Sequence, residues 1–150
     1  MITQLKVNIR KVDAERIRPL RHSELRKGQD FSTTSYLKDY EADTFHMACI
    51  VDDKIVTCAT FYPEKSTKIK SNNAYRLRGM ATDSRLTRKG YASNLMAESF
   101  KELKKRDCDM VWCNARLVAV DFYKSVGFKI TGEIFDIEGI GPHYYMYKEI

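Results

Sequence analysis

A strand that runs almost directly into a helix constrains this chain more than anything else in it. "AYRLRGMAT" (74–82) is apolar enough for a strand, and within "TDSRLTRKGYASNLMAESFKELKK" (82–105) Tyr91, Ala92, Leu95, Met96, Ser99 and Leu103 recur on one face at a 3.6-residue period. That switch of period predicts helices packed on a sheet, in a mixed α/β or α+β fold. Gly79, inside the strand, predicts a bulge or a close backbone approach. The helix opens unfavourably, on Arg88, Lys89 and Gly90. A helix start carries about half a positive charge and four N–H groups without partners, so each exposed cation there costs about 0.3–1 kcal/mol. A phosphate on the free N–H groups of residues 88–92 reverses the sign, and a glycine without Cβ lets it approach. GxxxxGK[ST] and GxGxxG are both missing, so neither a Walker loop nor a dinucleotide fold is expected. The bland alternative is two solvated cations beside a glycine of no particular role.

The rest of the chain extends the layered pattern without repeats, linkers or low-complexity blocks. "QLKVNIRKV" (4–12) reads as a first strand. A helix follows, with Asp13 as N-cap, Gly28 as stop and Pro19 expected to interrupt it. Residues 32–42 form a further short helix in this reading. "TFHMACIV" and "KIVTCATFY" flank Asp52-Asp53 as a hairpin, and the lysine-rich stretch 63–73 is a loop. "DMVWCNA" is a short buried strand; a helix carries Ala119, Phe122, Tyr123 and Val126 on one stripe; two strands joined across "GIGP" end the chain. At 150 residues, one domain spanning 1–150 is expected.

Composition narrows the function classes. No apolar run approaches the roughly 18 residues of a membrane helix. "MITQLKVNIRK" lacks an apolar h-region, so no secretory signal is expected and the compartment is read as cytoplasmic. The four cysteines, Cys49, Cys58, Cys108 and Cys113, contain no CxxC pair, so no metal site is expected. Cys49, Cys58 and Cys113 sit in apolar runs and read as reduced core residues. The net charge of +6 suits an anionic partner, which on charge alone includes nucleic acid, a phosphate-bearing cofactor or an acidic substrate. No basic-aromatic run of the ribonucleoprotein kind accompanies it, which disfavours nucleic acid.

A second motif sharpens the reading. "NARLVAVDFYKSVGFKITGE" (114–133), with Ala119, Phe122-Tyr123 and Gly127-Phe128, resembles the closing signature of the GNAT superfamily of acyl-CoA N-acetyltransferases. The basic stretch resembles that family's pyrophosphate loop, [QR]-x-x-G-x-[GA], with Gly90 and Ala92 in the last two places. The motifs stand about 30 residues apart in the family's order, with a helix and a strand between them. Two departures mark this chain: Thr87 stands where the family has Gln or Arg, and Arg116 stands where Asn is common, with Asn114 two residues earlier.

The resemblance implies an α+β fold, a mostly antiparallel twisted sheet of about seven strands flanked by about four helices. It also implies direct attack of an amine on the thioester of acetyl-CoA in a ternary complex, with CoA as product. Arg85, Thr87, Arg88, Lys89, Gly90, Tyr91, Ala92 and Ser93 would hold the cofactor diphosphate. Gly79, Met80 and Ala81 would offer N–H groups to the thioester oxygen, where negative charge develops. Asn114, Phe122 and Tyr123 would complete the cofactor contacts, with Tyr123 as general acid for the leaving thiolate. By periodicity alone Tyr123 reads first as a core aromatic with its hydroxyl satisfied locally, and it is the Phe-Tyr match to the family that points to the general acid.

The acceptor ammonium, with a pKa near 10.4, must also lose a proton, a demand of about 4–5 kcal/mol at neutral pH. His143 is the candidate base, with His46 and His22 as others; a lone histidine is more often structural. Arg18, His22 and Arg26 share a helix face, and His22, His46, Arg78 and Arg116 are the expected acceptor-side residues. That clustering suits an acceptor bearing a carboxylate or phosphate beside its amine, against the alternative of a solvated basic face; a small-molecule amine is expected because nothing in the 150 residues resembles a peptide-recognition module. A homodimer and simple core packing are the two readings of the Tyr- and Phe-rich final strands. The rival function is a non-catalytic acyl-CoA-binding regulatory module, which would need no general acid.

Overall fold

The computed structural model describes residues 5–150. In chain order its elements are β1 (Val7–Val12), α1 (Ala14–Leu25), β2 (Phe45–Val51), β3 (Lys54–Pro63), β4 (Ala74–Thr82), α2 (Tyr91–Lys105), β5 (Met110–Arg116), α3 (Val120–Ser125), β6 (Lys129–Ile137) and β7 (Gly141–Glu149). The seven strands form a sheet in the order β1-β2-β3-β4-β5-β7-β6. β4 and β5 pair in parallel over Ala74–Arg76 and Met110–Trp112, whereas β1–β2, β2–β3, β5–β7 and β6–β7 are antiparallel. This is the mixed α+β architecture the pattern predicted.

The chain divides into two compact units. One comprises the chain up to Tyr62 with Gly79–Ser99, the other Pro63–Arg78 with Phe100–Ile150. In the first, Ile17, Leu20, Ala48, Ile50, Cys58 and Ala81 form an apolar cluster, with Val12, Leu25 and Ile55 against it. Burying a side chain such as Ile17, which has no exposed surface, contributes about 1.5–3 kcal/mol. β2 is buried along its whole length, His46 being the one polar side chain in an otherwise apolar run. Asp52 and Asp53 both adopt positive φ (48° and 67°), the signature of a two-residue hairpin turn matched to the strand twist. In the second unit Ala74, Met110, Trp112 and Tyr145 form the cluster, flanked by Ile69, Phe135 and Tyr147.

Four expectations need correction. Among the described residues there are three α-helices rather than about four, because the expected helix over 32–42 is only a 3-10 turn, Phe31–Thr34. There the Asp30 carboxylate accepts from the Ser32 N–H, and the Thr33 and Thr34 hydroxyls donate to the carbonyls of Asp30 and Phe31. Such local side-chain bonds compete with helix propagation. Pro19 does not interrupt α1: the helix runs through it, held by buried Ile17, Leu20 and Arg21 on either side. Asp13 occupies the N-cap but makes no side-chain cap, and α1 ends at Leu25, before Gly28. β1 begins at Val7; Gln4, the first residue of the expected strand, lies outside the described residues.

All four cysteines are free and buried. Burial pushes the Cys58 thiol up to about 12 and lifts those of Cys49, Cys108 and Cys113 as well. No helix among the described residues is long and apolar enough to cross a membrane.

Candidate active site

The first unit carries the end of β4 and the basic turn. Gly79 has φ +63°, so the expected irregularity in β4 is present. Met80 is half-buried and Ala81 buried. After the strand, the Asp83 N–H donates to Val56 O at 2.8 Å, and a 3-10 turn follows over Ser84–Leu86. Arg85 points back at Asp83: its Nε donates to Oδ1 at 3.1 Å and its Nη2 to Oδ2 at 2.9 Å. Those bonds hold the Asp83 carboxyl at about 2. The Arg85 guanidinium, expected on the diphosphate, is therefore engaged by its own turn.

The basic stretch itself is a turn rather than the first helical residues. α2 begins at Tyr91, and Gly90 O accepts from Asn94 N at 3.0 Å. Arg88 (φ +62°) and Gly90 (φ +83°) both lie in the left-handed region. Nothing stands within 4 Å of a Cβ built on Gly90, so backbone conformation selects glycine here as much as access does. Thr87, Arg88, Lys89, Gly90 and Ser93 are exposed, while Tyr91 and Ala92 are half-buried. The first turn of α2 contains no acidic residue. Its apolar face is well anchored, with Leu95, Met96, Ser99 and Leu103 entirely buried. An exposed basic turn leading into a 15-residue helix, whose first N–H groups have no partner within the helix itself, has the donor chemistry a diphosphate needs.

Also in this unit, α1 and the following loop build a polar core that sequence reasoning missed. Arg21 is completely buried, and so is its partner Asp39. The Arg21 Nη1 donates to Asp39 Oδ2 (2.7 Å) and Thr34 O (2.7 Å); Nη2 donates to Asp39 Oδ1 (3.0 Å) and Thr60 Oγ1 (2.6 Å). His46 joins the same network. Its Nε2–H donates to Asp39 O at 3.0 Å, which leaves Nδ1 to accept from the Thr60 hydroxyl at 2.8 Å. Burial lowers the His46 pKa. Burial alone would raise Asp39, but the Arg21 hydrogen bonds, the Tyr36 N–H and the guanidinium charge outweigh it. Both nitrogens of His46 are thus committed inside the protein. His22 is held by Gln29 O at 2.8 Å and sits edge-on to Phe31. Arg18 bonds Thr34 Oγ1 at 2.9 Å and lies over the Phe31 ring. The signal for Arg21 was available: it lies four residues after Ile17 and beside Leu20, on the face of α1 that is buried.

The second unit holds the remaining candidates. Tyr123 is buried on α3 between Phe122 (ring centroids 5.5 Å) and Phe128 (5.2 Å). Burial, then the neighbouring Cys113, lift its hydroxyl well above the usual phenol range, with Arg116 pulling weakly the other way. The phenol is consequently protonated throughout the physiological range. Phe122 and Asn114 are half-buried. In the β5–β7 register Arg116 stands opposite His143 and Asn114 opposite Tyr145. His143 is buried, and its Nδ1 lies 2.8 Å from Gly141 O. A carbonyl can only accept, so Nδ1 carries a proton and Nε2 bears the lone pair of the neutral ring. Arg78 is half-buried at the end of this unit's part of β4.

Comparison with known proteins gives a consistent picture. A family model described as "Acetyltransferase (GNAT) family" matches residues 14–128. An uncharacterised N-acetyltransferase of Bacillus subtilis (strain 168), YitI, is 33% identical over 144 residues, covering 96% of this chain and 97% of that protein. Among solved structures, an aminoglycoside 6'-N-acetyltransferase complexed with coenzyme A superposes with a TM-score of 0.77 at 13% identity, covering 95% of this chain and 96% of that one. ElaA of Escherichia coli superposes with a TM-score of 0.69 at 17% identity, covering 96% and 100%. At such identities the structural likenesses speak to fold.

Proposed function

The chain belongs to the acetyltransferase (GNAT) family, and from that premise we propose that it transfers the acetyl group of acetyl-CoA to a primary amine of a small molecule that also bears an anionic group. The amine nitrogen forms the new C–N bond, the thioester C–S bond breaks, and the thiolate leaves with a proton. The observation that carries this reading is the exposed basic turn Thr87–Gly90, with left-handed Arg88 and Gly90 running into a helix whose first turn is free of acidic residues. Main-chain N–H groups of that turn and of Tyr91 and Ala92 hold the diphosphate, with Arg88 and Lys89 adding charge.

The proton inventory is supported by the second unit. Tyr123, kept neutral by burial, retains the proton that a thiolate leaving group requires, since a free thiol titrates near 8.5. His143 has its tautomer set by Gly141, so Nε2 is the atom to take the acceptor's proton. Arg116, opposite His143 in register, is the cation for the acceptor's anionic group, with Arg78 as a second candidate.

Calorimetry with acetyl-CoA and with desulfo-CoA on the wild type and on an Arg88→Glu/Lys89→Glu variant tests the cofactor part. Binding of both ligands is expected in the wild type and should be weakened at least tenfold in the variant. Free-thiol release across a panel of amines with and without a carboxylate or phosphate then tests the acceptor. Binding without turnover on any amine would favour a regulatory acyl-CoA-binding module instead.

A further inference from the structure

The buried Arg21 leaves one thing unexplained. Both of its Nη atoms are saturated by Asp39, Thr34 and Thr60, yet its Nε is a buried donor with no partner among the described residues. An unmet buried donor destabilises a free protein, so its persistence calls for a reason. The surroundings supply one. A Cβ built on Gly79 would stand 3.0 Å from that Nε and 3.1 Å from Cε2 of Tyr36. The Tyr36 ring in turn lies 3.9 Å from the centre of the guanidinium, and its N–H is fixed by the Asp39 carboxylate at 2.9 Å. Gly79 holds φ +63°, and its carbonyl accepts a weak bond from Cys58 Sγ at 3.6 Å. The carboxylate thus grips the Nη end of Arg21, and the positive end of the ion pair is turned toward Gly79.

We propose that Arg21 is a positioning residue for acyl transfer: with Tyr36 it sets the kink of β4 at Gly79, and it directs the positive end of a buried ion pair at the place where the thioester oxygen gains charge. This rests on the reading of Gly79, Met80 and Ala81 as the strand facing the thioester. The guanidinium needs no contact with substrate. In a buried setting the field of an oriented ion pair is weakly screened, and a fixed field aimed at developing charge lowers the barrier without strengthening ground-state binding. The glycine is explained by the same geometry, because a side chain at 79 would be strained at φ +63° and would press on Nε and the Tyr36 ring, displacing one of them.

The decisive variant is Arg21→Met/Asp39→Leu, which removes both charges together and so strands neither. Three readouts are taken on protein shown to melt cooperatively: desulfo-CoA affinity, steady-state kinetics, and the isotope-edited infrared carbonyl band of bound acetonyl-CoA. Acetonyl-CoA is a thioether analogue that keeps the ketone oxygen but cannot transfer its acyl group. We expect desulfo-CoA affinity and the KM for acetyl-CoA within about threefold of wild type, kcat lowered about 30- to 100-fold, and the carbonyl band shifted back toward its position in water. A merely structural role would leave both the kcat per folded molecule and the carbonyl band in place, whatever the melting temperature. Arg21→Lys keeps the charge without the fork and provides the second arm, with an intermediate band and about a tenfold lower kcat expected. A folded double variant with wild-type kcat and band overturns the inference, as does an unaltered Arg21→Lys should the double variant not fold. A wild type that binds neither analogue overturns the acetyl-CoA reading and this inference with it; normal binding and turnover in every variant overturns this inference alone.

Discussion

Replacing Asp39 by alanine leaves a charge with nowhere to go. The Arg21 guanidinium loses the two oxygens that take its Nη groups at 2.7 and 3.0 Å, and the Tyr36 N–H loses its acceptor at 2.9 Å. Neither side chain of the ion pair has any exposed surface, so water cannot substitute without opening the loop. Removing one partner of a buried ion pair destabilises by about 3–5 kcal/mol, because the desolvated survivor is left uncompensated. That is a large share of the roughly 5–15 kcal/mol that holds a typical domain folded. It corresponds to a fall of about 6–20 °C in melting temperature at about 2–4 °C per kcal/mol. Removing both charges with Arg21→Met/Asp39→Leu should be close to neutral, since two well-packed apolar side chains avoid the desolvation penalty altogether. Urea unfolding of wild type, both single variants and the double variant closes a mutant cycle, with an expected coupling of about 3 kcal/mol or more. A loss below about 1 kcal/mol for Asp39→Ala, or a double variant as unstable as the sum of the singles, would refute the reasoning.

The same network makes stability pH-dependent. His46 has a folded pKa below its unfolded value near 6.5, so its contribution is intact above about pH 6.5 and is lost as pH falls through the folded pKa. His46→Gln should flatten that acid limb in denaturation midpoints measured between about pH 5 and 7. Gly90→Ala places a side chain at φ +83° and should destabilise by about 1–2 kcal/mol; with open space around the Cβ position, the measurement is a small shift in urea midpoint without loss of fold. Arg85→Ala should leave acetyl-CoA affinity within about twofold by calorimetry, because Asp83 already holds that guanidinium. Tyr123→Phe should lower kcat by about 10²–10⁴-fold while desulfo-CoA affinity is retained; unchanged turnover would remove Tyr123 from the chemistry.

Periodicity carried most of the fold. The α2 stripe, the largely apolar β2 and the Asp52–Asp53 turn were readable because each is fixed by its own side chains within a few residues. The miss at 32–42 has the same physical origin in reverse: Asp30, Ser32, Thr33 and Thr34 bond their own backbone, a competition that an apolar pattern does not register. Pro19 misled for a different reason, since the helix it was expected to break is held by long-range burial of Ile17, Leu20 and Arg21. Among the candidate site residues, special backbone conformation was legible, since Gly79 and Gly90 both hold the positive φ that glycine permits. Partner choice was not. Arg85 and Arg21 are equally cationic in the sequence, but one is tied to a neighbour two residues away and the other to a carboxylate eighteen residues on.

This difference bears on how the chain distributes its strain. The second unit has left-handed Asp107, left-handed Gly132 within β6 and an orphan donor on Arg76, and the first has three such features: a left-handed arginine at 88, a left-handed glycine within a strand at 79, and a buried arginine with an orphan donor. Each is unfavourable by itself, and consistency across levels is what a folding sequence normally displays. Two of the three meet at a single point, the Nε of Arg21 beside Gly79. Independent defects have no reason to be neighbours, whereas a device that keeps a backbone kink and a positive field in fixed relation needs both. The third, at Arg88, lies in the turn proposed above to hold the cofactor diphosphate. Strain of this kind persists when the surrounding structure over-determines it. Here the over-determination is visible, in four hydrogen bonds from the Arg21 Nη atoms and one aromatic face.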